Sequence, residues 1–137
     1  LQFRAFVVED NPAIRASLVA ALEELAGMQV VGTTGSAPDA VAWLTDANNA
    51  WDLAIVDLLL EPGGTGLDVL RGCRLRNPEQ KMVVLTATAS DLVRHMCASL
   101  GSDGVFDKAM ETEVLLQWCA TLTGRAASSP ASGIIDT

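Results

Sequence analysis

Residues 52–60 read Asp52-Leu53-Ala54-Ile55-Val56-Asp57-Leu58-Leu59-Leu60, an apolar run holding a single carboxylate, Asp57, in its interior. A run without polar alternation suits a central parallel strand covered by helices on both faces. A helix would also tolerate this content, but Pro62-Gly63-Gly64 stops the segment within a few residues. Ligands of open parallel sheets sit beyond the carboxyl ends of the strands, so Asp57 is expected at the rim where chemistry is done.

Upstream, Phe3 to Val8 reads as a strand that runs straight into Glu9-Asp10-Asn11-Pro12. Asn11 can cap the following helix with Pro12 at its first position, and Ile14, Leu18, Leu22 and Leu25 recur at helical spacing until Gly27. Met28 to Thr33 predicts a second strand, and Ser36 caps a helix carrying Ala40, Val41 and Leu44. Downstream, a helix is expected from Leu67 to Arg76, stopped by Asn77-Pro78, and a strand from Lys81 to Leu85 ending in Thr86-Ala87-Thr88. Ser90 caps a helix with Leu92, Val93, Met96, Cys97 and Leu100 along one face, closed by Gly101. Val105-Phe106 leads to Asp107-Lys108, and a last helix from about Glu111 presents Val114, Leu115, Trp118, Cys119 and Leu122.

Strict strand–helix alternation, five times over, implies right-handed crossovers and an α/β, doubly wound parallel sheet with helices on both faces. Residues 3–123 are expected to form one domain. Residues 124–137, rich in Ala, Ser, Gly and Pro, are expected to be a flexible tail or linker. A chain of 137 residues, half of them hydrophobic, suffices for one substantial core, and no apolar run is long enough to span a bilayer. The formal net charge of -8, with nine Lys and Arg in all, argues against direct nucleic-acid binding. Cys73, Cys97 and Cys119 lack metal-site spacing and read as buried apolar residues of a reduced, cytoplasmic protein. His95 is expected to be a surface or packing histidine, and Trp43, Trp51 and Trp118 packing residues.

Polar residues follow directly on four of the strands: Glu9-Asp10, Asp57, Thr86 and Lys108. Parallel strands gather all of them at one edge. Three carboxylates in one crevice repel each other unless a hard cation joins them, and magnesium keeps coordination positions for water or phosphate oxygens. A lysine and a hydroxyl complete what phosphoryl transfer needs. Gly63, Gly64 and Gly66 precede no G-K-S/T, so they read as turn glycines rather than a phosphate cradle.

The ordered motifs FVVED (6–10), LAIVD (53–57), VVLTA (83–87) and VFDK (105–108) resemble the receiver domain of two-component response regulators. The resemblance spans roughly residues 3–123. It implies a flavodoxin-like strand order 2-1-3-4-5 and a cytoplasmic phosphoacceptor that is a regulator rather than an enzyme, its chemistry limited to its own phosphorylation and dephosphorylation. Carried over by position, Asp57 is the phosphoacceptor, Thr86 the switch hydroxyl and Lys108 the phosphoryl-pairing residue. Asp10, Glu9, Asp57 and the main-chain carbonyl of Leu59 are the magnesium site. The implied partner is a sensor histidine kinase or phosphotransfer protein, with no membrane contact and with dimerisation on phosphorylation admitted. The output is left open between a stand-alone receiver and the receiver of a larger DNA-binding regulator.

Three positions depart from the family pattern. Val105 stands where an aromatic residue is common, which puts the usual switch relay in doubt. Ala109 stands where a cis-proline is common, so the turn after Lys108 is expected to be rebuilt or strained. The loop Glu61-Pro62-Gly63-Gly64-Thr65-Gly66 is one residue longer than the common form. Two other classes fit less well. A haloacid-dehalogenase-type phosphatase wants D-x-D after its first strand, where this chain has Glu9-Asp10-Asn11. A flavin phosphate would be repelled by Glu9-Asp10.

Overall fold

The strand at residues 53–56 is the centre of a five-stranded parallel sheet of order β2-β1-β3-β4-β5. The computed structural model describes residues 3–124. In chain order the elements are β1 (Phe3–Val8), α1 (Pro12–Glu24), β2 (Met28–Thr34), α2 (Ala37–Leu44) and β3 (Leu53–Val56). They continue with α3 (Gly66–Gly72), β4 (Lys81–Thr86), α4 (Asp91–Ser99), β5 (Gly104–Asp107) and α5 (Thr112–Thr123). All four residues of β3 are essentially inaccessible, as the unalternated apolar run requires.

The strand's two-residue period splits the core in two. Ala54 and Val56 with Met82 and Val84 face α2, α3 and α4, where Leu44, Val69, Leu70 and Cys97 meet them. Leu53 and Ile55 with Val83 and Leu85 face α1 and α5, where Leu18, Leu22, Leu115 and Cys119 close the other layer. Each fully buried Leu, Ile or Val contributes about 1.5–3 kcal/mol, so both layers are needed to fix the sheet between them. Trp43 stacks on Phe6 at 4.4 Å between ring centroids, and Trp51 Nε1 donates to the Leu44 carbonyl, so these rings are packing residues as expected. The three cysteines are buried and free; burial pushes the thiol of Cys73 up to about 11 and that of Cys119 to about 12, which keeps them unreactive.

The helix starts follow the sequence. Asn11 Oδ1 accepts the amides of Ala13 and Ile14, and the Ser36, Thr65 and Ser90 hydroxyls each accept an amide of the turn that follows.

Several expectations need correction. Helix α3 ends at Gly72, not Arg76: a Cβ at Gly72 would meet Val41 at 2.8 Å, so α2 and α3 touch there. Beyond that point Leu75 is 97% exposed and offers no apolar face to continue. Leu25, Leu92 and Met96, read as members of buried faces, are exposed, and Val114 is about half exposed. His95 is on the surface of α4. The expected tail lies, from residue 125 onward, outside the described residues. Among the described residues no helix is long and apolar enough to cross a membrane.

Candidate functional site

At the carboxyl edge of the sheet, the first three polar positions are delivered by strands that run in register. Val8 pairs with Val56 across β1 and β3, so Glu9-Asp10 and Asp57 emerge side by side. The Asp57 amide donates to the Val8 carbonyl at 2.9 Å, extending that pairing to Asp57 itself. Two glycines make room for the loops. A Cβ at Gly35 would come within 2.9 Å of the Asp10 Cα, and one at Gly66 would collide with the backbone of Asp57 and Leu58. Gly66 instead donates its amide to the Leu58 carbonyl at 2.8 Å, folding the longer loop back over the strand end.

Glu9, Asp10 and Asp57 each offer a carboxylate oxygen, and these oxygens lie within 4.8 Å of one another. Glu9 is 3% and Asp57 7% exposed, whereas Asp10 is half-buried. Lys108 reaches in from the end of β5 and joins two of them, its Nζ 2.7 Å from Asp57 Oδ2 and 2.8 Å from Glu9 Oε1. Glu9 Oε2 accepts the Asn11 amide at 3.0 Å, and Arg15 Nη1 donates to the Glu9 carbonyl. No hydrogen bond or ion pair reaches the Asp10 side chain among the described residues. The cluster is thus short of positive charge: three carboxylates share one ammonium.

The titration behaviour reflects this. Burial raises the Glu9 carboxyl above its ordinary value, and the neighbouring Asp57 charge adds to it, outweighing the lowering by Lys108 and the Asn11 amide. Burial by itself would pull the Lys108 ammonium down. Its bonds to Asp57 and Glu9 reverse that and leave it above the ordinary lysine value, firmly charged.

Thr86 ends β4 almost fully buried, as its strand-end position implied. Its hydroxyl lies not on Asp57 but 3.1 Å from the Thr88 hydroxyl, and it accepts the Thr88 amide at 3.3 Å. The Leu59 amide donates to Asp57 Oδ1 at 3.3 Å, Leu59 pairs with Thr65 in a short antiparallel bridge, and its side chain is 63% exposed.

The turn after Lys108 is rebuilt without a cis bond; the cis peptide among the described residues is Glu61–Pro62. Asp107 Oδ1 accepts the amides of both Ala109 and Met110, and the Lys108 amide donates to the Thr86 carbonyl at 2.8 Å. Sequence reading missed Arg94 and Glu111, which brace this turn at separations of 11 and 17 residues with no motif to signal them.

A cation of the hard, oxygen-seeking class fits the donor set. Glu9, Asp10 and Asp57 supply anionic oxygens only, the donors such a cation takes.

A family profile described as "Response regulator receiver domain" matches residues 5–120. The DNA-binding transcriptional activator DevR/DosR of Mycobacterium tuberculosis is 33% identical over 88 residues, covering 64% of this chain and 39% of that protein. The nitrate/nitrite response regulator protein NarP of Escherichia coli is 28% identical over 116 residues, 84% of this chain and 52% of that one. The chain therefore spans about two fifths to one half of the length of these relatives. Among solved structures, a CheY-like response regulator receiver domain protein from Methanospirillum hungatei is 25% identical with a TM-score of 0.75, covering 92% of this chain and 97% of that one. A LuxR-family two-component response regulator from Aurantimonas shares the fold at 24% identity and a TM-score of 0.75, over 96% of this chain and 92% of that one.

Proposed function

The chain belongs to the response regulator receiver domain family, and we propose that Asp57 is its phosphoacceptor, loaded from a phosphohistidine of a sensor kinase or phosphotransfer protein. The observation that carries this reading is the ammonium of Lys108 set between Asp57 and Glu9, with Asp10 alongside.

In the transfer, an Asp57 carboxylate oxygen forms a bond to phosphorus as the bond from phosphorus to the donor imidazole breaks. The electron pair leaves on the imidazole nitrogen, which takes up a proton. Lys108 stays charged throughout and can pass from the Asp57 carboxylate to a phosphoryl oxygen without a proton transfer. Glu9, Asp10, Asp57 and the Leu59 carbonyl would hold magnesium, which supplies charge neutralisation for the phosphoryl oxygens. Thr86 would leave Thr88 to donate to the new phosphoryl group, and this exchange of partners is the switch. A cleft of about 660 Å³ between α1 and the Lys108 turn, walled by Ala13, Ile14, Ser17, Ala87 and Ala109, reaches the cluster at Lys108 and would receive part of the donor. Hydrolysis by water returns the carboxylate, so the domain regulates and turns over its own modification without a separate substrate.

Acetyl phosphate with magnesium should add one phosphate to the intact mass of the protein, and Asp57→Asn should abolish it. Unchanged labelling of that variant sinks the assignment.

A second reading concerns the output. The matches cover only 39% of DevR/DosR and 52% of NarP, and DevR/DosR is by name a DNA-binding activator. This supports a receiver that serves a DNA-binding regulator. The acidic domain would not touch DNA itself, because a net charge of -8 opposes phosphate contact.

A further inference from the structure

The turn that carries Lys108 is held from outside by a side chain of another element. Arg94, on α4, donates Nη1 to the carbonyl of Val105 at 2.7 Å and Nη2 to Glu111 Oε1 at 2.8 Å. The same Glu111 oxygen accepts the amide of Asp107 at 2.8 Å, and the Glu111 amide donates back to the Asp107 carbonyl at 2.7 Å. Asp107 and its partners therefore fix the residue before Lys108. On the other side, the Thr112 hydroxyl donates to the Lys108 carbonyl at 2.8 Å.

We propose that Arg94 and Glu111 are positioning residues for Lys108, coupling the placement of α4 to the ammonium that serves Asp57. The proposal rests on the phosphoacceptor reading above. Three observations support it. Val105 is a carbonyl of the edge strand, so the fork of Arg94 occupies an acceptor that no further strand covers. A guanidinium can serve a carbonyl and a carboxylate together in one plane, which an ammonium does less well. The pair is also more than a third exposed on each side, so its contribution to stability is small, and its geometric role is the one that remains. Because α4 starts just after the Thr86 loop, a shift of α4 that follows Thr86 must either break the Arg94 fork or drag the Lys108 turn with it. Arg94 thereby links the two groups that are to meet the phosphoryl oxygens.

The test is a double-mutant cycle on acetyl phosphate labelling. Arg94→Met should slow labelling by about tenfold, a modest loss for a mis-set catalytic group. Arg94→Lys should fall between Met and wild type, and Glu111→Gln should be slower than wild type. In the Lys108→Ala background, Arg94→Met should add no further loss, because its effect runs through Lys108. If wild type takes no phosphate at Asp57, the phosphoacceptor reading falls and this proposal falls with it. Normal labelling by wild type but equal rates for Arg94→Met, or full additivity with Lys108→Ala, overturns the positioning role alone. Urea unfolding of each variant identifies any that are not folded, and Glu111→Gln then carries the comparison.

Discussion

The two edges of one sheet treat charge in opposite ways. At the amino edge two acids each meet their own base: Arg4 Nε lies 3.1 Å from Asp52, and Arg76 Nη2 lies 2.9 Å from Asp103. Those acids also accept backbone amides, Asp52 from Arg4 and Asp103 from Met82, so they tie strands to the loops that feed them. At the carboxyl edge three carboxylates crowd around one ammonium, and Asp10 has no partner among the described residues. A balanced edge closes a fold. An edge left short of positive charge suits the cation and the phosphoryl group proposed for it.

The largest effect separates the edges by substitution. Asp57→Asn should remove phosphate uptake entirely while leaving the fold intact. Asp103→Ala should leave uptake in place but cost about 2 kcal/mol, because it strands the Met82 amide and a mostly buried Arg76. Urea unfolding beside intact-mass labelling reads both. If Asp103→Ala lost labelling, or Asp57→Asn destabilised more, the division of labour between the edges would be wrong.

Next in size is the lifetime of the modified state. Hydrolysis needs water in line behind the phosphorus, and Leu59, two positions after Asp57, offers no hydrogen bond to hold it. Its side chain is 63% exposed, so it is not committed to packing against the loop after Thr86 and is free to cover the approach. Leu59→Asn should shorten the phosphoryl lifetime about tenfold, which is about 1.4 kcal/mol of barrier. Phosphate release from labelled protein, wild type beside variant, decides it; equal rates would leave Leu59 without a guarding role.

Charge imbalance itself is testable through Asp10. Without divalent cation, Asp10→Asn should stabilise the protein by roughly 0.5–1 kcal/mol, the scale of one partly exposed charge interaction. With millimolar magnesium the order should reverse, because wild type gains binding energy that the variant has lost. Urea midpoints in chelator and in magnesium give the answer. A variant less stable in both would mean that the crowding of carboxylates costs nothing.

Much of this comparison was legible in the sequence, and for one reason. Buried parallel strands must be apolar throughout, so Glu9, Asp57, Thr86 and Lys108 stood out as the polar residues that end them. Three caps were equally plain, since Asn11, Ser36 and Ser90 each precede a helix with the side chain that an orphan amide needs, whereas Thr65 at the start of α3 was missed. What escaped depends on contacts across the chain. Gly72, the last residue of α3, packs against Val41, 31 positions away, and helical spacing could not show that Leu25 and Leu92 face solvent. The parking of Thr86 on Thr88 rather than Asp57 is a choice of rotamer, which composition does not record.

The smallest effect sets two glutamates of the carboxyl edge against each other. Glu111 is bonded one-to-one with Arg94, in the manner of the amino edge, and that bond, helped by the Asp107 amide, holds its carboxyl below the ordinary value. Glu9 is held above the ordinary value, by burial first and by Asp57 as well. The linkage signs are opposite. Glu111 contributes stability that is complete above the unfolded glutamate value, about 4.3, and fades as pH falls through its folded value. Glu9 contributes stability that is complete below that same value and is lost as pH rises through its folded value. Carboxyl carbon NMR titration of glutamate-labelled protein in chelator should therefore place the Glu111 midpoint below about 4.3 and that of Glu9 above it. Arg94→Met removes the partner of Glu111 and should return it upward. Glu9 lies away from Arg94, so it should rise as well only through a loosened Lys108, which ties the titration to the positioning role. Glu111 titrating at or above Glu9 in wild type would erase the distinction between a matched and an unmatched acid on this edge.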